Sequence, residues 1–189
     1  MMQLPHNSAL VIVDVQNDFL PGGKLAVAEG DKIIPALNHY IAQFIQNQRP
    51  IFATRDWHPL DHCSFKSQGG PWPVHCVADT HGARFSQLLA LPPSATIISK
   101  DTSARKEAYS GFEGTKLESL LRDARVDVLY VGGLATDYCV LNTVKDGLRL
   151  GFAVVLLTEA MRAVNVRPGD GTLAELEMLS LGATRAEKC

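Results

Sequence analysis

Apolar residues follow two rhythms along this chain. Residues 9–15, 50–54, 96–99, 126–131 and 152–157 are short, nearly unbroken apolar runs. Between them, residues 32–48, 83–89, 115–122, 136–150 and 172–181 read as helices. In the first helical stretch Ile33, Ile34, Leu37, Ile41, Phe44 and Ile45 recur at helical spacing. A strand that is apolar on both faces belongs in a sheet covered on both sides. Alternation with helices makes that sheet parallel. The pattern predicts a single α/β domain over residues 1–189, a doubly wound three-layer α/β/α sandwich with a central, mainly parallel sheet. Residues 183–189 are too polar for a convincing final edge strand. The one long irregular stretch, residues 57–80, is rich in Gly, Pro, His and aromatics. A loop of that length in a compact domain usually has a function.

Length and composition narrow the classes. The chain has 189 residues, 46% hydrophobic and 20% charged, enough for one core and short for two domains. A net charge of −2 without a Lys/Arg run argues against a nucleic-acid partner. No apolar run approaches the roughly 20 residues that span a bilayer. Residues 1–6 do not resemble a signal peptide, which makes the cytoplasm the expected compartment. The four cysteines, at 63, 76, 139 and 189, form no C-x-x-C pair and suggest no disulfide framework.

In an open parallel sheet, ligands bind beyond the carboxyl ends of the strands. Those ends carry Asp14, Asp56 and Lys100, and the fourth strand leads through a Gly-Gly turn into a helix whose first turn holds Cys139. Each alone has an ordinary explanation, as a cap, a solvated strand end or a small buried filler. Together they form a set that packing does not require. A thiol at a helix N-terminus beside an ammonium group is expected to ionise readily. A desolvated Asp14 suits proton transfer.

A second set gathers around the long loop. Asp56 and His58 stand two apart in an extended segment and face the same way, and His75 returns from the loop to join them. Two histidines and one carboxylate describe a catalytic metal site with open positions. Zn²⁺ fits best, and Fe²⁺ or Mn²⁺ also accept this donor set. His62 is a candidate extra ligand, with Ser64 nearby. Phe19, Trp72 and Tyr109 could stack on a flat ring.

These residues lie in stretches that resemble the nicotinamidases, also called pyrazinamidases, among the isochorismatase-like cysteine hydrolases. The stretches are Val13-Asp-Val-Gln-Asn-Asp-Phe-Leu-Pro-Gly-Gly23, Thr54-Arg-Asp-Trp-His-Pro59, Trp72-Pro-Val-His-Cys76, Lys100, Glu107-Ala-Tyr-Ser-Gly-Phe112 and Gly132-Gly-Leu-Ala-Thr-Asp-Tyr-Cys-Val140. The resemblance implies Cys139 as nucleophile, Asp14 as proton shuttle and Lys100 as third member. It implies Asp56, His58 and His75 as ligands of one divalent ion. It also implies a cis bond before Ala135, with the N–H groups of Ala135 and Cys139 as oxyanion hole. The implied reaction is hydrolysis of nicotinamide to nicotinate and ammonia, in NAD salvage, by an enzyme that could form a homo-oligomer. The alternative is a related cysteine amidohydrolase acting on pyrazinamide or on a carbamoyl or ureido amide. A silent binding protein and a thiol oxidoreductase are readings of other classes, and the latter lacks an evident resolving thiol. One departure from the family is Asp101, which follows the lysine where glycine is common.

Overall fold

The computed structural model describes residues 4–186. Six strands form one sheet: β1 (Ser8–Val13), β2 (Ile51–Asp56), β3 (Thr96–Lys100), β4 (Val128–Leu134), β5 (Ala153–Arg162) and β6 (Thr184–Arg185). Their spatial order is β3-β2-β1-β4-β5-β6, and every pairing is parallel. Four α-helices cover the faces: α1 (Ile34–Gln46), α2 (Leu117–Asp123), α3 (Leu141–Arg149) and α4 (Asp170–Ser180).

The unbroken apolar runs have the cause the sequence suggests. All six residues of β1 are buried. Leu10 and Ile12 pack into one cluster with Leu37, Ile41 and Phe44 of α1. Ala9, Val11 and Val13, pointing the other way, pack with Leu117 and Leu121 of α2, Val144 of α3 and Met178 of α4. Period-two alternation thus feeds two cores. The first face has only one α-helix, and loop residues Ala83, Phe85 and Leu89 complete its cover.

The chain runs from β1 outward to β2 and β3, then returns to lay β4 on the other side of β1. That reversal opens a crevice between the ends of β1 and β4. Gly133 makes the close approach possible. Its φ is +128°, and a β-carbon there would lie 2.1 Å from the Val13 carbonyl oxygen. The next peptide bond, Leu134–Ala135, is cis.

Four local expectations need correction. Residues 83–89 form turns, because their backbone pairs with the segment after β1: Asn17 N–H donates to Arg84 O (2.9 Å) and Ser86 N–H to Val15 O (3.1 Å). The helix expected over 136–150 is divided into a π-helical turn, Thr136–Val140, and α3. β5 runs five residues past Leu157, since an irregularity after Val131 lets Gly133 and Leu134 pair with Met161 and Arg162. A final strand does exist: β6 is two residues long and exposed, held by pairing with Val155 and Leu156 rather than by apolar burial. The remaining residues of both termini, Cys189 among them, lie outside the described residues. No helix among the described residues is long and apolar enough to cross a membrane.

Candidate active site

The strand ends deliver their polar groups to one point. β2 and β3 pair in register with Asp56 opposite Lys100, so both side chains leave the same edge. Asp14 follows β1 with φ +50°. Lys100, 2% exposed, places its ammonium 3.1 Å from Asp14 Oδ2 and in contact with Asp56 Oδ1. The same ammonium lies 3.5 Å from Cys139 Sγ and 3.2 Å from the Ala108 carbonyl. The Thr54 hydroxyl donates to Asp14 Oδ1 at 2.6 Å.

Burial decides the protonation states. It pushes the Cys139 thiol well up; Lys100 opposes this, while Asp14 and Asp56 add to it. Burial and the two carboxylates thus work against the ionisation expected of a thiol at a helix start, and Asp14 is placed to act as base. Burial also raises Asp14 against the pull of Lys100. Burial alone would lower Lys100, but Asp14 and Asp56 together outweigh it and keep the amine charged. Asp56 goes the other way: Lys100 and His58 overcome burial and hold its carboxylate well below the usual range. One cation thus sits among two carboxylates and a thiol that can trade a proton.

The loop supplies the second group. His58 pairs with Val77 as an isolated parallel bridge, with its N–H donating to Cys76 O (3.0 Å) and its carbonyl accepting from Ala78 N–H (2.8 Å). This pairing returns His75 to His58. Ligand atoms of Asp56, His58 and His75, all buried, lie within 4.8 Å of one another. The donors suit a divalent ion. The Pro73 carbonyl accepts from His75 Nδ1 (2.8 Å), leaving the Nε2 lone pair free to coordinate. His58 Nε2 lies 3.7 Å from Asp56 Oδ2, a spacing that one ion about 2 Å from each can bridge. Neither buried nitrogen of His58 has a hydrogen-bond partner, and a bound cation would satisfy one. His62 is engaged elsewhere. Its Nε2–H donates to Lys106 O (3.0 Å), its Nδ1 accepts from Ser64 Oγ (2.8 Å), and its ring stacks on His58 at 4.2 Å.

Aromatic side chains, Ala135 and Cys139 line the same pocket. Trp72 Nε1–H donates to the Tyr109 hydroxyl at 3.0 Å, and both rings contact Tyr138, at 5.1 and 5.5 Å. Phe19 packs against His75 at 5.6 Å. Of the residues named from sequence, Phe19, Asp56, His58, Trp72, His75, Tyr109, Ala135 and Cys139 line this cavity, while Asp14 and Lys100 are buried behind it and reach it through Cys139 and Asp56.

Several supporting residues carried no assignment. The Gln16 side chain clamps the Asp56 backbone, donating to its carbonyl and accepting from its N–H, both at 2.8 Å. Asp18 accepts from Cys76 N–H at 2.8 Å and so fixes the residue after His75. Tyr138 joins the aromatic wall. Asp137 accepts from the N–H groups of Val164 and Asn165 and ties down the loop that brings Val164 to the pocket. The polar residues in Asp14-Val-Gln-Asn-Asp18, beyond the apolar run of β1, were the available signal for Gln16 and Asp18.

Comparison with known proteins agrees with this geometry. A family model described as the isochorismatase domain matches residues 8–186. The chain is similar to a nicotinamidase of Escherichia coli (strain K12), 40% identical over 93% of this chain and 92% of that one. It is also similar to the pyrazinamidase of Pyrococcus horikoshii, solved in complex with zinc (TM-score 0.92, 50% identity, 96% and 99% of the two chains). PnC1 from L. infantum, solved in complex with nicotinate, gives a TM-score of 0.91 at 33% identity over 98% and 96% of the two chains. The chain belongs to the isochorismatase family, in the group that holds the nicotinamidases and pyrazinamidases.

Proposed function

We propose that this protein hydrolyses nicotinamide to nicotinate and ammonia through a thioester on Cys139. The observation that carries the reading is the position of Lys100, which touches Asp14, Cys139 and Asp56 at once and so joins a nucleophile to a metal-type donor set.

Asp14 takes the proton from Cys139, and the sulfur attacks the amide carbon. Lys100 stays charged and stabilises the anionic sulfur and the carboxylate in turn. The N–H groups of Ala135 and Cys139 receive the oxyanion; one such donor is typically worth about 2.7–4 kcal/mol in the transition state. Asp14 returns its proton to the departing nitrogen as the C–N bond breaks, which releases ammonia and leaves the acyl group on sulfur. Water, deprotonated by Asp14, then attacks the thioester. Nicotinate leaves, and the sulfur recovers a proton from Asp14.

Asp56, His58 and His75 would hold a divalent ion, most simply Zn²⁺, which when bound supplies an electrophilic anchor for a pyridine nitrogen. Trp72, Tyr109 and Phe19 would bind the ring faces and exclude water. The described cysteines, 63, 76 and 139, are free, which suits work in a reducing cytoplasm. Ammonia release from nicotinamide, measured beside pyrazinamide and a ureido amide, tests the reading. Turnover of nicotinamide with a transient acyl adduct on Cys139 in the mass spectrum supports it. Inert nicotinamide beside rapid turnover of a ureido amide overturns the substrate assignment.

A further inference from the structure

Asp101 is a costly residue in its place. Its φ is +56°, in the left-handed region where glycine is most at ease. Its side chain is buried; the carboxyl is held by the Ala108 backbone and lies 4.0 Å from the Lys100 ammonium through Oδ2, yet Oδ1 has no hydrogen-bond partner. A buried carboxylate oxygen left in this way costs free energy unless something is drawn to it. An unsatisfied group close by is His58, both of whose nitrogens are buried and unpartnered. Ligand atoms of Asp101, His58 and His62 lie within 4.8 Å of one another. The other groups facing this spot are already engaged. His62 is held by Ser64 and Lys106, and Lys100 by Asp14, Asp56 and Ala108.

A divalent ion on the Asp56 side of His58 would take the lone pair of Nε2. The ring hydrogen then resides on Nδ1, and an N–H fixed there requires an acceptor. We propose that Asp101 is that acceptor: metal binding draws its free carboxylate oxygen onto His58, making Asp101 a positioning residue that tightens the metal site. The proposal rests on the metal-site reading above and adds to it a residue that acts on the ion through His58. A carboxylate behind a ligating imidazole fixes its tautomer, orients the ring and makes it a stronger donor, and removal of such a partner typically weakens metal affinity about 10–100-fold.

The test is Zn²⁺ affinity of the metal-stripped full chain, by competition with a chromophoric chelator, alongside thermal melting of the stripped protein. Asp101→Gly suits the backbone at φ +56°, so the stripped variant should melt no lower than wild type. Its Zn²⁺ affinity should fall about 10–100-fold. Asp101→Asn keeps a carbonyl oxygen that accepts the same hydrogen bond, and it should recover most of the loss. Wild-type affinity in Asp101→Gly overturns the proposal. So does Asp101→Asn binding as weakly as Asp101→Gly, because the carboxylate would then act as a charge or a direct ligand. His75→Ala is the control. If it binds Zn²⁺ as wild type does, the metal-site reading fails and takes this proposal with it; if only the Asp101 variants are unaffected, the failure is confined to Asp101.

Discussion

The two halves of the site rest on different supports. Asp14, Lys100 and Asp56 stand at the ends of strands whose ladders fix their backbones, and Cys139 sits in the π-helical turn that follows β4. His58, His75 and Trp72 ride on a loop held by isolated bridges, His58 to Val77 and Phe65 to Trp72. The loop has a small apolar centre of its own. Phe65 is fully buried, with the rings of His58, His62 and His75 around it at 5.4–5.7 Å. The strand half needs nothing from outside to hold its geometry. The loop half leaves both buried nitrogens of His58 unsatisfied, and on the proposed reading a cation completes it. Lys100, touching both Asp14 and Asp56, is where the halves meet.

Removing the thiol should break the strand half alone. Cys139→Ala should lower kcat about a thousandfold or more, with Zn²⁺ affinity and melting temperature close to wild type. Residual activity of a few per cent in a steady-state ammonia assay would show that sulfur is not the nucleophile.

Removing the shared cation should damage both halves. Lys100→Met leaves Asp14 and Asp56 buried without their partner, which costs about 3–5 kcal/mol of folding stability. Urea unfolding should show that loss, and metal affinity and turnover should fall together. A variant of wild-type stability would mean that the two carboxylates do not depend on the ammonium.

Stripping the ion should loosen the loop half alone. Zn²⁺ at a hundred times its dissociation constant stabilises the native state by about 2.7 kcal/mol. Chelation should therefore lower the melting temperature of wild type but not of His75→Ala. Hydrogen exchange should accelerate in residues 58–77 and stay slow in β1 and β4. Uniform acceleration would mean that the halves are not independent.

The same division governs what could be read from sequence. The strand half was legible because an apolar run bounded by a polar residue states both where a strand ends and what stands there. Asp14 and Lys100 followed from that rule, and the β-α alternation placed them on one edge. In the loop, the ligand-type residues were visible but their supports were not. Asp18 holds the loop through the Cys76 N–H, 58 positions away, just as Gln16 and Thr54 hold the strand-half carboxylates Asp56 and Asp14 across 40 positions, and no local pattern marks such pairings. Residues 83–89 misled for the same reason: their backbone bonds go to the segment after β1, and a helical period cannot report a distant partner. The helix start before Cys139 is a local signal that favours ionisation, whereas the burial and carboxylates that oppose it are set by the whole fold.

The smallest effect separates ring binding from chemistry within the loop half. Trp72 donates to the Tyr109 hydroxyl, and burial keeps that hydroxyl neutral by pushing it well above the usual tyrosine range. Tyr109→Phe keeps the ring but leaves the indole N–H without its acceptor, a loss of about 1 kcal/mol. If the bond serves only to hold Trp72 against the substrate ring, the cost falls on binding. KM for nicotinamide should then rise about fivefold at unchanged kcat. Saturation kinetics would distinguish this from a role in proton transfer, which would lower kcat and leave KM alone, and would move Tyr109 from the wall of the pocket into the reaction itself.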